Sequence, residues 1–109
     1  METIAFTIEI PREHIDNALV SAAASRTHGA GYWADFDRNR KGALLARERE
    51  DANGRKGAWV NLNAQLDKGL ATMVRITPAS FGRLLSGDID APLGDVLVQC
   101  IVCGELRYG

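Results

Sequence analysis

The stretch from Asp90 to Gly109, DAPLGDVLVQCIVCGELRYG, constrains this chain most, because it is densely apolar and carries signals for both of its own ends. Leu93, Val96, Leu97, Cys100 and Ile101 recur at the spacing of a half-buried helix. Asp90 can cap its start, since a carboxylate accepts from free backbone N–H groups at the positive end of the dipole. Gly104 can close the other end in the left-handed conformation. The β-branched Val96, Val98, Ile101 and Val102 leave a buried strand as the rival reading; the two end signals favour the helix over 93–103. On that helix Leu97 is a core position, whereas replacement of Gln99, off the stripe, is expected to cost little.

Upstream segments read as faces to pack on this element. Ile4, Phe6, Ile8 and Ile10 alternate with Thr3, Ala5, Thr7 and Glu9, a period of two that predicts a strand with one face on the core. Pro11 then opens a helix with Ile15, Ala18, Leu19 and Ala22 on its apolar side, and the glycines at 29 and 31 end it. Tyr32 to Phe36 predicts a short aromatic strand, followed by a charged loop, Asp37 to Gly42. Asn53-Gly54 is a strong hairpin signal. As a two-residue loop it sets Leu45 opposite Leu62 and Glu48 opposite Trp59. Asn61 or Asn63 caps a helix with Leu66, Leu70 and Met73 on one side. Thr77-Pro78 begins a shorter one that Gly87 ends. The expectation is one α+β domain over residues 1–109: an antiparallel sheet of N-terminal strand, aromatic strand and Asn-Gly hairpin against about four helices.

Charge narrows the partners. The chain carries −1 overall, which excludes a generic polyanion binder and a strongly acidic nucleic-acid mimic. Residues 38–57 hold seven basic against three acidic residues, +4, and the remainder six against eleven, −5. The opening METIAFTIEIPRE lacks the basic and apolar regions of a signal peptide, and no apolar run approaches the roughly 20 residues of a membrane helix. The expected location is the cytoplasm, without membrane contact, with both cysteines reduced.

Catalytic patterns are weak. Cys100 and Cys103 match C-x-x-C, yet they fall near the end of the proposed helix, where the dipole opposes a thiolate; packing as small hydrophobes is the plainer reading. A zinc site would need His14 and His28 to join them, at a spacing unlike finger motifs. His14 reads as solvent-facing in a first helical turn and His28 as part of a helix end. Asp35 and Asp37 could share a metal or acid–base duties, but flank a basic loop and read as solvated. No nucleophile elbow or phosphate-binding glycine loop is present. The chain reads as non-enzymatic and without cofactor or metal. Surface chemistry carries more weight: Tyr32, Trp33, Arg38, Arg40, Lys41, Arg47 and Arg49 gather aromatic and basic groups of the kind found at interface hot spots and on nucleobases. Whether Tyr32 and Trp33 lie outside or in the core stays open.

Four pieces of the chain resemble a family of small uncharacterised phage, prophage and plasmid proteins: IEIPREHIDNAL, the GYW pair, LNAQLDKGLATM, and a terminal block of GDVLVQ followed by Gly104-Glu105 and Tyr108-Gly109. Cys103 stands where that pattern would have an aromatic residue, and the central basic hairpin is individual. The resemblance implies a mobile-element accessory protein that binds and inhibits a host defence complex of a bacterial host, as anti-CRISPR proteins do. The expected partner is a host protein or complex met by the seven residues above. Alternatives are nucleic acid on the same residues, a sequestered small anionic nucleotide, and, last, thiol or metal chemistry at Cys100 and Cys103. A homodimer is compatible with all of them.

Overall fold

The computed structural model describes residues 2–109, and among these the order is α1 (Arg12–Ala24), β1 (Ala34–Arg38), β2 (Leu44–Glu48), β3 (Val60–Asn61), α2 (Leu66–Ile76), α3 (Pro78–Ser86) and α4 (Ala91–Val102). The strands form one antiparallel sheet in the order β1-β2-β3. This is a small α+β fold.

The C-terminal stretch is the helix that its ends foretell. The Asp90 carboxylate accepts from the Leu93 N–H at 2.9 Å, and Gly104 takes φ +70° while its N–H bonds the Gln99 carbonyl. α4 is nonetheless buried on more than one stripe: Leu93, Gly94, Asp95, Leu97, Val98, Gln99, Cys100 and Ile101 are all inside. It packs against α1, α2, α3 and β2. A helix surrounded in this way needs inward groups on nearly every face, which is why Gln99, 1% exposed, is a core residue rather than a dispensable one. Two glycines permit the closest approaches. At Gly94 a Cβ would overlap the Ala18 carbonyl of α1, and at Gly69 it would overlap Ile101 of α4.

α1 buries the expected Ile15, Ala18, Leu19 and Ala22. α3 begins at Pro78 and stops at Gly87, whose φ is +80°. Thr77 uses its hydroxyl on Ser80 rather than on a backbone N–H. The Asn61 side chain accepts from the Ala64 N–H in the turn leading to α2, and Met73 is fully buried with Leu66 and Leu70 partly so.

Two expectations about the sheet are corrected. Residues 2–11 form no strand; Ile4, Phe6 and Ile8 lie in solvent, and only Ile10 rests on the core. The hairpin register is also one residue away from the Asn-Gly expectation, with Leu45 opposite Asn61 and Ala46 opposite Val60. The cause is Asp51. Its carboxylate accepts from the N–H groups of Asn53 and Arg55, and Asp51 and Arg55 close a three-residue loop around Ala52, Asn53 and Gly54. A one-residue slip reverses which side chains face inward. Leu62 is therefore buried, and Glu48 turns to the C-terminal tail instead of to Trp59.

Candidate functional site

The seven residues singled out for partner contact separate into three groups. Arg38, the last residue of β1, and Arg40 and Lys41 on the β1–β2 turn are exposed; the strand takes in Asp37 and Arg38 of the expected loop. Asn39 builds that turn: its side-chain oxygen accepts from the N–H groups of Lys41 and Ala43, both at 2.9 Å, and Gly42 takes φ +82°. Arg38 donates to the Gly42 carbonyl at 2.8 Å. Among the described residues the side chains of Arg40 and Lys41 make no hydrogen bond or salt bridge. The turn thus holds two uncommitted cations on a fixed backbone.

Arg47 and Arg49 are committed to the fold. Both bond the Asp35 carboxylate, at 3.2 and 3.0 Å, because β1 and β2 set Asp35 directly across from Arg47. The Arg49 hydrogen bond, with that of Arg47, holds the Asp35 carboxyl below its usual range despite some desolvation. Arg49 also donates to the carbonyls of Gly31, Tyr32 and Ala34, tying the entry of β1 to the end of β2. Asp35 is therefore an ion-pair partner and Asp37 accepts from the Arg38 N–H. They do not act as a carboxylate pair. Arg47 additionally lies over the ring of Trp59, 4.3 Å from its centroid, and Trp59 is 41% exposed. Trp59 was not among the sequence candidates; its place beside an arginine follows from the shifted register, which residue order does not reveal.

Trp33 and Tyr32 part company. Trp33 is 4% exposed and cannot serve as a contact residue. Its indole N–H donates to Asp95 at 2.7 Å, and its ring stacks on Tyr108 with centroids 4.7 Å apart. Tyr32 remains partly exposed, donating to Asp95 at 3.3 Å and meeting Tyr108 edge-on. Burial, then Asp95, raises its pKa. Gln99 satisfies all its polar capacity here. Its amide donates to Asp95 and to the Tyr108 carbonyl, and its oxygen accepts from the N–H groups of Arg107 and Tyr108. Glu48 receives Arg107 and the Tyr108 hydroxyl, the latter at 2.6 Å; burial, with Glu48, pushes Tyr108 up to about 12. The quoted GYW, GDVLVQ and YG pieces thus meet in one place, where their visible work is to hold the tail on the core. Beside them Tyr32, Trp33, Arg49, Glu50 and Tyr108 border an open cleft of about 300 Å³.

The remaining candidates are also placed. Cys100 is buried and Cys103 half-buried, both free; burial pushes their thiols up to about 11 and about 12, away from the thiolate that nucleophilic sulfur chemistry requires. Alkylation by iodoacetamide at mildly alkaline pH should accordingly be slow in the native protein and rapid in denaturant, followed by mass. Fast native labelling would show an accessible thiolate. His14 is half-buried, not solvent-facing, with Nδ1 2.9 Å from the Leu84 carbonyl. His28 lies in the turn after α1, its N–H bonded to the Ser25 hydroxyl. No group of three or more His, Cys, Asp or Glu able to hold a metal occurs among the described residues. No helix among them is long and apolar enough to cross a membrane. Comparison with protein-family models, curated proteins and solved structures found no match. Fold and surface together define a small α+β domain that presents a rigid basic turn and an arginine-covered tryptophan on one sheet.

Proposed function

We propose that the protein is a non-enzymatic binding domain whose contact surface is the outer face of the sheet with its basic turn. The observation that carries this reading is the pair Arg40 and Lys41, whose side chains have no partner among the described residues, on a turn that Asn39 holds by two hydrogen bonds. The fixed backbone keeps both cations on one exposed turn, and unpaired surface charges steer encounter with an acidic partner. Trp59 under Arg47 supplies an aromatic and arginine pair of the type that dominates interface energetics. The resemblance to mobile-element proteins directs the choice of partner: a component of a host defence complex, occluded as anti-CRISPR proteins do, in the bacterial cytoplasm. The cleft beside Tyr32 and Tyr108 favours a second reading, sequestration of a small anionic nucleotide against Arg49.

Changing Arg40 and Lys41 together to Glu tests the first reading. Both are exposed, so stability should move by less than about 0.5 kcal/mol per site. Capture of a host partner from lysate should fall at least about tenfold, since like charges across an interface cost several kcal/mol. Undiminished capture would place the contact elsewhere. An affinity that drops steeply with salt in proportion to phosphates neutralised would favour nucleic acid on the same turn. A nucleotide released from denatured protein would favour the cleft.

A further inference from the structure

The segment before α1 has the sequence of a strand and no strand to pair with. Ile4 is 89% exposed, Phe6 78% and Ile8 49%, on one side of the two-residue alternation. The molecule measures 48 Å along one axis against 28 and 27 Å along the others, and eight extended residues span about 26 Å. An apolar strand edge of this length left in water is a template for pairing with another chain.

We propose that residues 3–10 form the exchanged strand of a homodimer, the segment of each copy adding to the outer edge of β1 in the other. Among the described residues β1 is an edge strand, paired only with β2. The Arg49 N–H donates to the Trp33 carbonyl, so in the alternating antiparallel pattern Asp35 and Asp37 face β2 and Phe36 turns its N–H and C=O outward. Ala34 gives its N–H to Ala30 and its carbonyl to Arg49, and the Arg38 N–H goes to Asp37, so the added pairing rests on the N–H and C=O of Phe36. Along this edge runs a cleft of about 360 Å³ whose apolar border is Ala23, Ala34 and Phe36 and whose polar border is Arg26 and the Asp35–Arg49 ion pair. A strand laid there sets its Ile and Phe side chains beside Phe36 and over Ala23 of α1.

Charge and geometry select a second copy. The segment carries Glu2 and Glu9 and no basic residue before Arg12, while the β1 edge is flanked by Arg26 and Arg38 with Arg40 and Lys41 beyond; of the carboxylates on β1, Asp35 is neutralised by Arg47 and Arg49 and Asp37 is exposed. Folding back within one copy would need a reversal at Ile10-Pro11, where Ile10 rests on the core and Pro11 is extended at ψ 130°. Two exchanged segments together with the surfaces they cover would have to reach the roughly 1,200–2,000 Å² of a standard stable interface. Reciprocal exchange about a two-fold axis also closes the assembly, so no free edge is passed on.

Sedimentation of the full chain at high micromolar concentration should give twice the chain mass, with the Phe36 amide and the segment amide that bonds the Phe36 carbonyl protected from hydrogen exchange. Phe6→Asp alters an exposed side chain, so the body should keep its circular dichroism while the mass falls to one chain and the protection disappears. Deletion of residues 2–9 should do the same. A wild type of single-chain mass overturns the proposal, whether its segment is unprotected, free for a foreign partner, or protected, paired within its own copy. A dimer that persists in both variants overturns it as well.

Discussion

Gly94→Leu should yield a chain that no longer reaches the native fold, and Gly94→Ala one destabilised by about 3 kcal/mol. Gly94 is where α4 crosses α1. A Cβ there would overlap the Ala18 carbonyl oxygen and lie 2.9 Å from the Ala22 nitrogen and 3.1 Å from the Ala22 Cβ. Two of these three atoms are backbone, so no rotamer change relieves the contact and the helices must separate. Overpacking of a tight core costs about 1–3 kcal/mol and sometimes more, and a leucine adds three further carbons to the same crossing. Since domains have only about 5–15 kcal/mol in total, the larger substitution should abolish cooperative melting. Gly82→Ala is the control. It lies in α3 with nothing within 4 Å of an added Cβ and should be neutral or stabilising by up to about 1 kcal/mol. Equal melting of Gly94→Ala and wild type would mean that α1 and α4 do not cross as described.

Gln99→Ala should cost about 3 kcal/mol and release the tail. The side chain is 1% exposed and makes four hydrogen bonds, to Asp95, the Arg107 N–H, and the N–H and carbonyl of Tyr108. A buried polar group left without its partner costs about 1–3 kcal/mol, and the alanine also leaves a void. The tail groups can recover water by moving outward, which caps the loss but takes Tyr108 off the Trp33 ring. Denaturant titration followed by tryptophan fluorescence reads both effects. Gln99→Glu should be worse at neutral pH, because it turns a donor facing the Asp95 carboxylate into a second carboxylate oxygen. An alanine variant within about 0.5 kcal/mol of wild type would show that the network does not hold the tail.

How far residue order reaches is clear from these cases. Asp90, Gly87 and Gly104 mark helix ends by local backbone chemistry, and the faces of α1 and α3 follow from spacing within one element. Local rules suffice there. Tyr32 and Trp33 are neighbours that differ in exposure for a tertiary reason: both reach Asp95, an acid more than sixty positions later, but only the Trp33 ring is covered by stacking on Tyr108. The same holds for Gln99: nothing within α4 says that its polar side meets a returning tail. The basic turn was legible, since Asp37 to Gly42 contains no apolar side chain to draw it inward. Arg47 and Arg49 were not, because their pairing with Asp35 depends on cross-strand register, and Asp51 shifted the hairpin next to it.

The position of α4 along the chain has a consequence for synthesis. The helix on which α1, α2 and α3 pack is translated after all three of them. Until it emerges, the apolar faces of α1 and α2 lack the surface that covers them, and the tryptophan at 33 waits for both its acid and its stacking tyrosine. Contacts between such distant parts of a chain form slowly and leave apolar surface open in the meantime. Until α4 is made the nascent chain therefore carries a set of unclosed faces, a natural client for a chaperone, and it becomes one cooperative unit only when α4 and residues 103–109 close over them.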